Sequence, residues 1–317
     1  MLTNQELARR ADLVLADLNA NGGLLDPEQA NTFIDLLLEQ PTILRQVRQI
    51  RMSAPERKIN KIGFGSRILK AAPQGTTPYD DPATGVNNRY LAAADRSKPT
   101  TSQIQLNTKE VIAEVRLPYE VLEDNIEGES FESHIMRLIA ERAAVDFEEF
   151  ALFADTASGD AFLALQDGYL KRMTSHVVNN ASAGVSPTMF TAGLLAMPQK
   201  YLRNIAQMKH FVSVANTIKY RSKVAERATG YGDSMLTQGG PIYAQGVAVE
   251  AAPMLAAQGT GNSGIFTYPQ NLIFGIQRQL QVETDKDIRS REIIIVLTAR
   301  VALGIEDEDA TVKYTNI

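Results

Sequence analysis

Cysteine is missing from all 317 residues. Its absence excludes disulfides, thiolate nucleophiles and thiolate metal sites, so rigidity has to come from packing or from neighbours, and a reducing cytoplasm is the natural place of synthesis. Only three histidines are present, His134, His176 and His210. They stand far apart with no H-x-x-x-H or H-x-H spacing, which gives a metal centre little support. Long apolar runs are lacking too: none approaches the roughly 20 residues of a membrane helix, and residues 1 to 30 carry no basic-then-apolar signal pattern. Neither secretion nor membrane insertion is expected. There is no internal repeat and no low-complexity tract. What is there is an ordinary composition, 44% hydrophobic and 22% charged, enough to bury one large core or two moderate ones.

The formal charge of −5 is small but unevenly distributed. Between residues 45 and 70 eight cations, Arg45, Arg48, Arg51, Arg57, Lys58, Lys61, Arg67 and Lys70, face a single acid, Glu56. Between Glu110 and Phe150 twelve acids, among them Glu120, Glu123, Asp124, Glu127, Glu129 and Glu132, face only Arg116, Arg137 and Arg142. Clustered cations release counterions from phosphates and so could bind nucleic acid. Aromatic interleaving is poor, however, with Phe64 alone available to stack. One chain that carries both signs in separate blocks is equally suited to pairing with a neighbouring copy.

Hydrophobic spacing predicts an arm, a flap and a spine. Asn4 to Leu18 places Leu7, Leu13, Val14, Leu15 and Leu18 at helical spacing. Asp26-Pro27 then reads as a cap and first-turn proline for a second helix ending near Pro41. Two short amphipathic helices without a sheet of their own read as an arm that lies across something else. From Lys61 to Ser102 glycines and prolines recur with little periodicity. Structureless connections of about 40 residues are uncommon and usually serve binding, so a two-stranded excursion is expected there. Ile104, Leu106, Val111, Ala113, Val115 and Leu117 alternate as in one half-buried strand that Pro118 ends. Ser130 as cap and Glu132 in the first turn open a helix from about Phe131 to Ala154, with Phe131, Ile135, Leu138, Ile139, Phe147 and Phe150 as its apolar stripe. Some 24 residues at about 1.5 Å each span roughly 36 Å. Ser186-Pro187 opens a further helix, Asn216 is read as the cap of another running to Ala228, and strands are expected at Phe211 to Val214, Val247 to Val249, Ile265 to Ile276 and Glu292 to Ile305. The apolar run Ile293 to Leu297 suits a buried strand.

Catalytic motifs do not survive inspection of their context. Gly259 to Gly264 fits the letters G-x-G-x-x-G, but a dinucleotide site needs a helix next, and Ile265-Phe266-Thr267 is strand-like. Glu306 to Asp309 lacks the alternating ligands and central glycine of a calcium loop and reads as a solvated turn. Glu148 and Glu149 are consecutive, so their side chains diverge, and both read as solvated helix faces rather than an acid/base pair. No nucleophile elbow or histidine triad is evident. Neither catalysis nor a cofactor is expected; a nucleotide-binding enzyme using the glycine loop stays as a weak alternative.

Four stretches together carry a resemblance: Ile112 to Asn125 (IAEVRLPYEVLEDN) leading to the long helix, Gly246 to Pro253 (GVAVEAAP), Ile273 to Gly275 (IFG), and Ile288 to Gly304 (IRSREIIIVLTARVALG). In order and spacing, from about Lys61 to the end, the chain resembles tailed-phage major capsid proteins of the Hong Kong 97 fold. That resemblance implies an α+β fold with an N-terminal arm (1–57), an extended loop over a neighbour (58–103), a peripheral domain with a spine helix (104–180), an axial domain (181–277), and return strands of the peripheral domain with the C-terminus (278–317). It implies pentamers and hexamers closed into an icosahedral shell around double-stranded DNA, assembled in a bacterial cytoplasm. Scaffold, portal and decoration proteins are further expected partners, and heterologous contacts that close into rings fit such a shell. Some members cross-link a loop lysine to a neighbour's asparagine with help from a glutamate. By motif alignment the last two positions fall on Arg291 and Thr298, which implies that this chemistry is missing. A nanocompartment shell of the same fold, holding protein cargo, is the other reading of the resemblance.

Overall fold

The computed structural model describes residues 41–64, 67–71, 91, 96–118, 130–226, 240–256 and 263–317. The helices expected in the first 40 residues lie outside that set. In chain order the elements are β1 (Arg48–Arg51), β2 (Glu56–Gly63), β3 (Thr100–Asn107), β4 (Lys109–Pro118), α1 (Ser130–Phe153), α2 (Tyr169–Arg172), β5 (Val177–Asn179), α3 (Pro187–Ala196), β6 (Lys209–Val212), α4 (Val214–Ala225), β7 (Ile242–Ala244), β8 (Val247–Ala251), β9 (Gly264–Thr267), β10 (Leu272–Asp287), β11 (Glu292–Ile305) and β12 (Thr311–Thr315). Arg57–Gln105 form one compact unit, in which β2 pairs with β3 as a two-stranded ladder, and the rest of the chain forms the other.

The larger unit is built on two sheets. A four-stranded sheet runs β1-β10-β11-β4 and a six-stranded sheet runs β5-β12-β9-β6-β8-β7. The long hairpin β10–β11 is the centre of the first; β4 adds antiparallel to β11 and β1 parallel to β10. Helix α1 lies on this sheet, with Phe147 edge-on to Phe274 at 6.2 Å and Phe150 against Phe162 at 5.1 Å. Close approach comes from Ala140 and Ala144, both fully buried, which the expected stripe passed over. Leu138, counted in that stripe, is exposed. Helices α3 and α4 cover the second sheet through Phe190, Tyr220 and Tyr314.

Several expected elements differ in ways with clear physical causes. The single alternating strand from Ile104 to Leu117 is two strands, because Thr108 leaves the ladder to donate both its N–H and its hydroxyl to the Pro55 carbonyl. The expected strand Ile265 to Ile276 is likewise broken at Pro269, whose short 3-10 turn ends β9 in one sheet and starts β10 in the other. Helix α4 begins at Val214, capped by Ser213 Oγ, which accepts the Asn216 N–H at 3.3 Å, and Asn216 lies inside the helix. The run Ile293 to Leu297 is not wholly buried: Ile295 and Leu297 face the core while Ile294 and Val296 are half-buried. In the segment read as return strands, β10 and β11 lie in the four-stranded sheet, whereas β12 pairs with β9 and β5 in the six-stranded one. The two crossings between sheets are stitched together: Asn271 Nδ2 donates to the Asp307 carbonyl at 2.8 Å, and the Asp307 N–H donates back to Asn271 Oδ1 at 2.9 Å.

Candidate assembly surfaces

The basic stretch divides between the two units. Residues 41–47 form turns that bury Ile43, Leu44 and Val47 against the larger core. The chain then enters β1. The root of this segment is held by Glu148 on α1: its two carboxylate oxygens accept the N–H groups of Thr42 at 2.9 Å and Ile43 at 3.0 Å. Glu148 is therefore buried, not a solvated helix face as its position beside Glu149 suggested. Burial pushes its carboxyl above the usual range, against the pull of the two backbone hydrogen bonds. Gln46 extends the anchor by accepting Lys209 Nζ at 2.6 Å and donating to Glu250, while Lys209 and Glu250 pair at 2.8 Å. A charged side chain buried with both acceptors used is a positioning device.

Around this root Arg45, Arg48 and Arg51 are exposed. Arg48 bonds Glu306 of its own chain at 3.0 Å. Arg57 and Lys58 on β2 are exposed, Lys61 is half-buried, and Arg67 and Lys70 follow as exposed residues. The same stretch carries Ile62, Phe64, Ile68 and Leu69, all more than half exposed. Sequence reasoning weighed the cations and Phe64 here but passed over Ile62, Ile68 and Leu69; the available signal was that these apolar residues sit close together among charges.

Of the acidic set, Glu120, Glu123, Asp124, Glu127 and Glu129 lie outside the described residues, and of Glu132 only its backbone, in the first turn of α1, is described. Other acids of the block have partners in their own chain. Glu110 accepts from Arg300 at 2.9 Å, Glu114 pairs with Arg116 at 2.6 Å, and Asp146 with Arg142 at 2.9 Å. Between β4 and α1 the surface opens into a cavity of about 360 Å³, apolar within and flanked by Asp146 and Glu149.

Remaining candidates are accounted for by local contacts. The turn at Glu306 to Asp309 is tied down rather than simply solvated: Glu308 accepts the Thr174 N–H and hydroxyl and the Ser175 N–H, which hold its carboxyl below the usual range. Among the described residues no cluster of three or more His, Asp or Glu is arranged to hold a metal ion, and no helix is long and apolar enough to cross a membrane. Gly264 of the glycine-rich run opens strand β9, not a helix, and Gly259 to Asn262 lie outside the described residues. Arg291 sits at the β10–β11 turn with φ 57°, and Thr298 lies opposite Ile112 in the sheet.

Comparison with known proteins adds the family. No family model matches the chain. The curated protein described as "Putative prophage capsid protein YqbE" of Bacillus subtilis (strain 168) is 40% identical over 324 residues, spanning 100% of this chain and 99% of its own length. Among solved structures, a chain of the satellite phage P4 procapsid with its size determination (Sid) protein superimposes with a TM-score of 0.60 at 16% identity, covering 99% of this chain and 98% of the other. A chain of the native GTA particle capsid gives 0.60 at 16% identity, over 86% and 89%. Mycobacterium phage Adephagia gives 0.59 at 12% identity, over 96% and 98%. A common arrangement at such low identity is a statement about the fold. Full-length identity to the prophage protein places this chain in the family of phage capsid proteins, and the superposition on solved phage capsid chains gives it their Hong Kong 97 fold.

Proposed function

We propose that this chain is a major capsid protein whose copies close, as pentamers and hexamers, into an icosahedral shell around phage double-stranded DNA. The observation that carries the reading is the 40% identity to a prophage capsid protein along the whole of both chains. The role is structural: the chain is a building block, and no covalent chemistry is assigned to its residues. Particles form in the cytoplasm of the bacterial host and persist as the virion capsid. Within the shell, the cations of residues 45–70 face the acidic block of the next copy, each exposed pair contributing about 0 to 1 kcal/mol and repetition supplying the rest. Contact of cations with packaged DNA is non-specific and weak.

Electron microscopy and light scattering of the purified protein test this. Closed particles of uniform diameter are expected, with nuclease-resistant DNA inside those recovered from lysed host cells. A protein that stays monomeric or dimeric at high concentration would refute the reading. Particles filled with protein cargo in place of DNA would convert it to a nanocompartment shell.

A further inference from the structure

Residues 41–52 touch the spine helix and both sheets within a dozen positions. At one end the N–H groups of Thr42 and Ile43 donate to the carboxylate of Glu148 on α1. Gln46 reaches the six-stranded sheet: its Nε2 donates to the Thr42 carbonyl at 3.1 Å and to Glu250 of β8, and its Oε1 accepts Lys209 Nζ of β6 at 2.6 Å. Gln270, just before β10, donates its Nε2 to the Gln46 carbonyl at 3.1 Å. At the other end β1 runs parallel to β10 on the edge of the four-stranded sheet, and the Met52 N–H donates to the Ile276 carbonyl at 2.8 Å. Met52 is buried over Gly275, where a Cβ would come within 2.8 Å of its sulfur. Between these anchors Ile43, Leu44 and Val47 enter the core, while Arg45, Arg48, Gln49 and Arg51 face water.

We propose that residues 41–52 are a strap that opens and closes as one unit and, when closed, ties the spine helix and the four-stranded sheet to the six-stranded sheet. Lifting it breaks one strand pairing, β1 with β10, and leaves β10-β11-β4 and the six-stranded sheet paired as before. Folded proteins open locally in contiguous cooperative units. Here polar anchors and buried side chains alternate along the segment, so freeing Gln46 also uncovers Leu44 and Val47, and no half-lifted position keeps either set satisfied. Hydrogen bonds run without a break from Glu148 through Thr42 and Gln46 to Glu250, joining two elements of different sheets. A buried carboxylate in such a chain fixes register rather than adding strength. Residues 1–40 join the rest of the chain through this strap, so a pull on them reaches both sheets at once.

Two experiments on the full chain test the strap. In the unaltered protein, hydrogen exchange under rising denaturant should give the amides of Thr42, Ile43, Gln46, Val47 and Met52 one common opening, their protection factors agreeing within about fivefold and lying below those of β11. A wider spread between Thr42 and Met52, or protection as high as that of β11, overturns the proposal. The second is a double-mutant cycle. Glu148→Ala and Glu250→Ala should each lower the urea midpoint, and together lower it by less than the sum, because either change already loosens the shared strap. Gln46→Ala in the background should abolish that coupling. Effects of Glu148→Ala and Glu250→Ala that simply add would show that the two anchors act locally, and would sink the strap as well. Should a variant fail to fold, exchange in the unaltered chain still decides. Both measurements read the fold of the subunit, so whether particles form does not enter their outcome.

Discussion

Glu148 shows how one side chain can set the direction of a segment. A carboxylate on a packed helix accepts two successive N–H groups where the chain leaves its first 40 residues and turns toward β1. Removing it leaves one buried and one part-buried N–H without an acceptor, which costs about 1 to 3 kcal/mol. Glu148→Ala should therefore lower the urea midpoint measurably, and Glu148→Gln should not restore it, because its amide nitrogen would meet an N–H donor. His210 makes a different prediction. It is fully buried, its Nδ1 lies 3.1 Å from the Tyr314 hydroxyl, and it stacks on Phe266 at 4.4 Å. Burial lowers its pKa to about 3. The unfolded chain then takes up a proton near pH 6.5 that the folded chain refuses, so the stability held above that value drains as pH falls toward 3, by up to about 1.4 kcal/mol per unit. Thermal melts of His210→Phe between pH 7 and 4 should show a flatter acid limb than the native chain.

At the scale of elements, the end of the spine helix is the tightest joint. Gly168 precedes α2, and its N–H donates to the Ala154 carbonyl at 2.7 Å where α1 has just ended. A Cβ on Gly168 would lie 2.9 Å from both the Ala151 carbonyl oxygen and the Ala154 nitrogen, backbone atoms that cannot swing aside. Gly168→Ala is expected to cost about 1 to 3 kcal/mol by forcing the two helices apart, read as a lower melting temperature. Over the six-stranded sheet, Gly193 of α3 leaves room for the Tyr314 side chain, since a Cβ there would collide with the tyrosine hydroxyl and ring. Strand β12 can lie beneath α3 only because that position is bare.

For the whole molecule, assembly and folding should be separable. Arg45, Arg48 and Arg51 are exposed, and the Arg48–Glu306 pair has both side chains substantially in water. Reversing all three to Glu should change subunit stability by only about 1 kcal/mol, while greatly reducing particle yield by light scattering and microscopy. Normal shells from that variant would show that these cations do not mediate contacts between copies.

Much of the architecture could be read in the chain before any coordinates. Ser186-Pro187 at the start of α3, the 24-residue spine and the bounds of β11 all follow from short-range spacing of apolar, capping and turn residues, because helix and strand periodicity are local properties. Partner choice is not local. That β12 belongs with β9 and β5 rather than with its predecessor β11, that the alternating strand breaks at Thr108, that Glu148 is buried, and that a cavity opens beside Ile112 were decided only in three dimensions. Each depends on groups far apart in sequence, Thr42 and Glu148 being 106 residues apart, and a hydrogen-bond partner or a packing surface exists only once the chain has closed that distance.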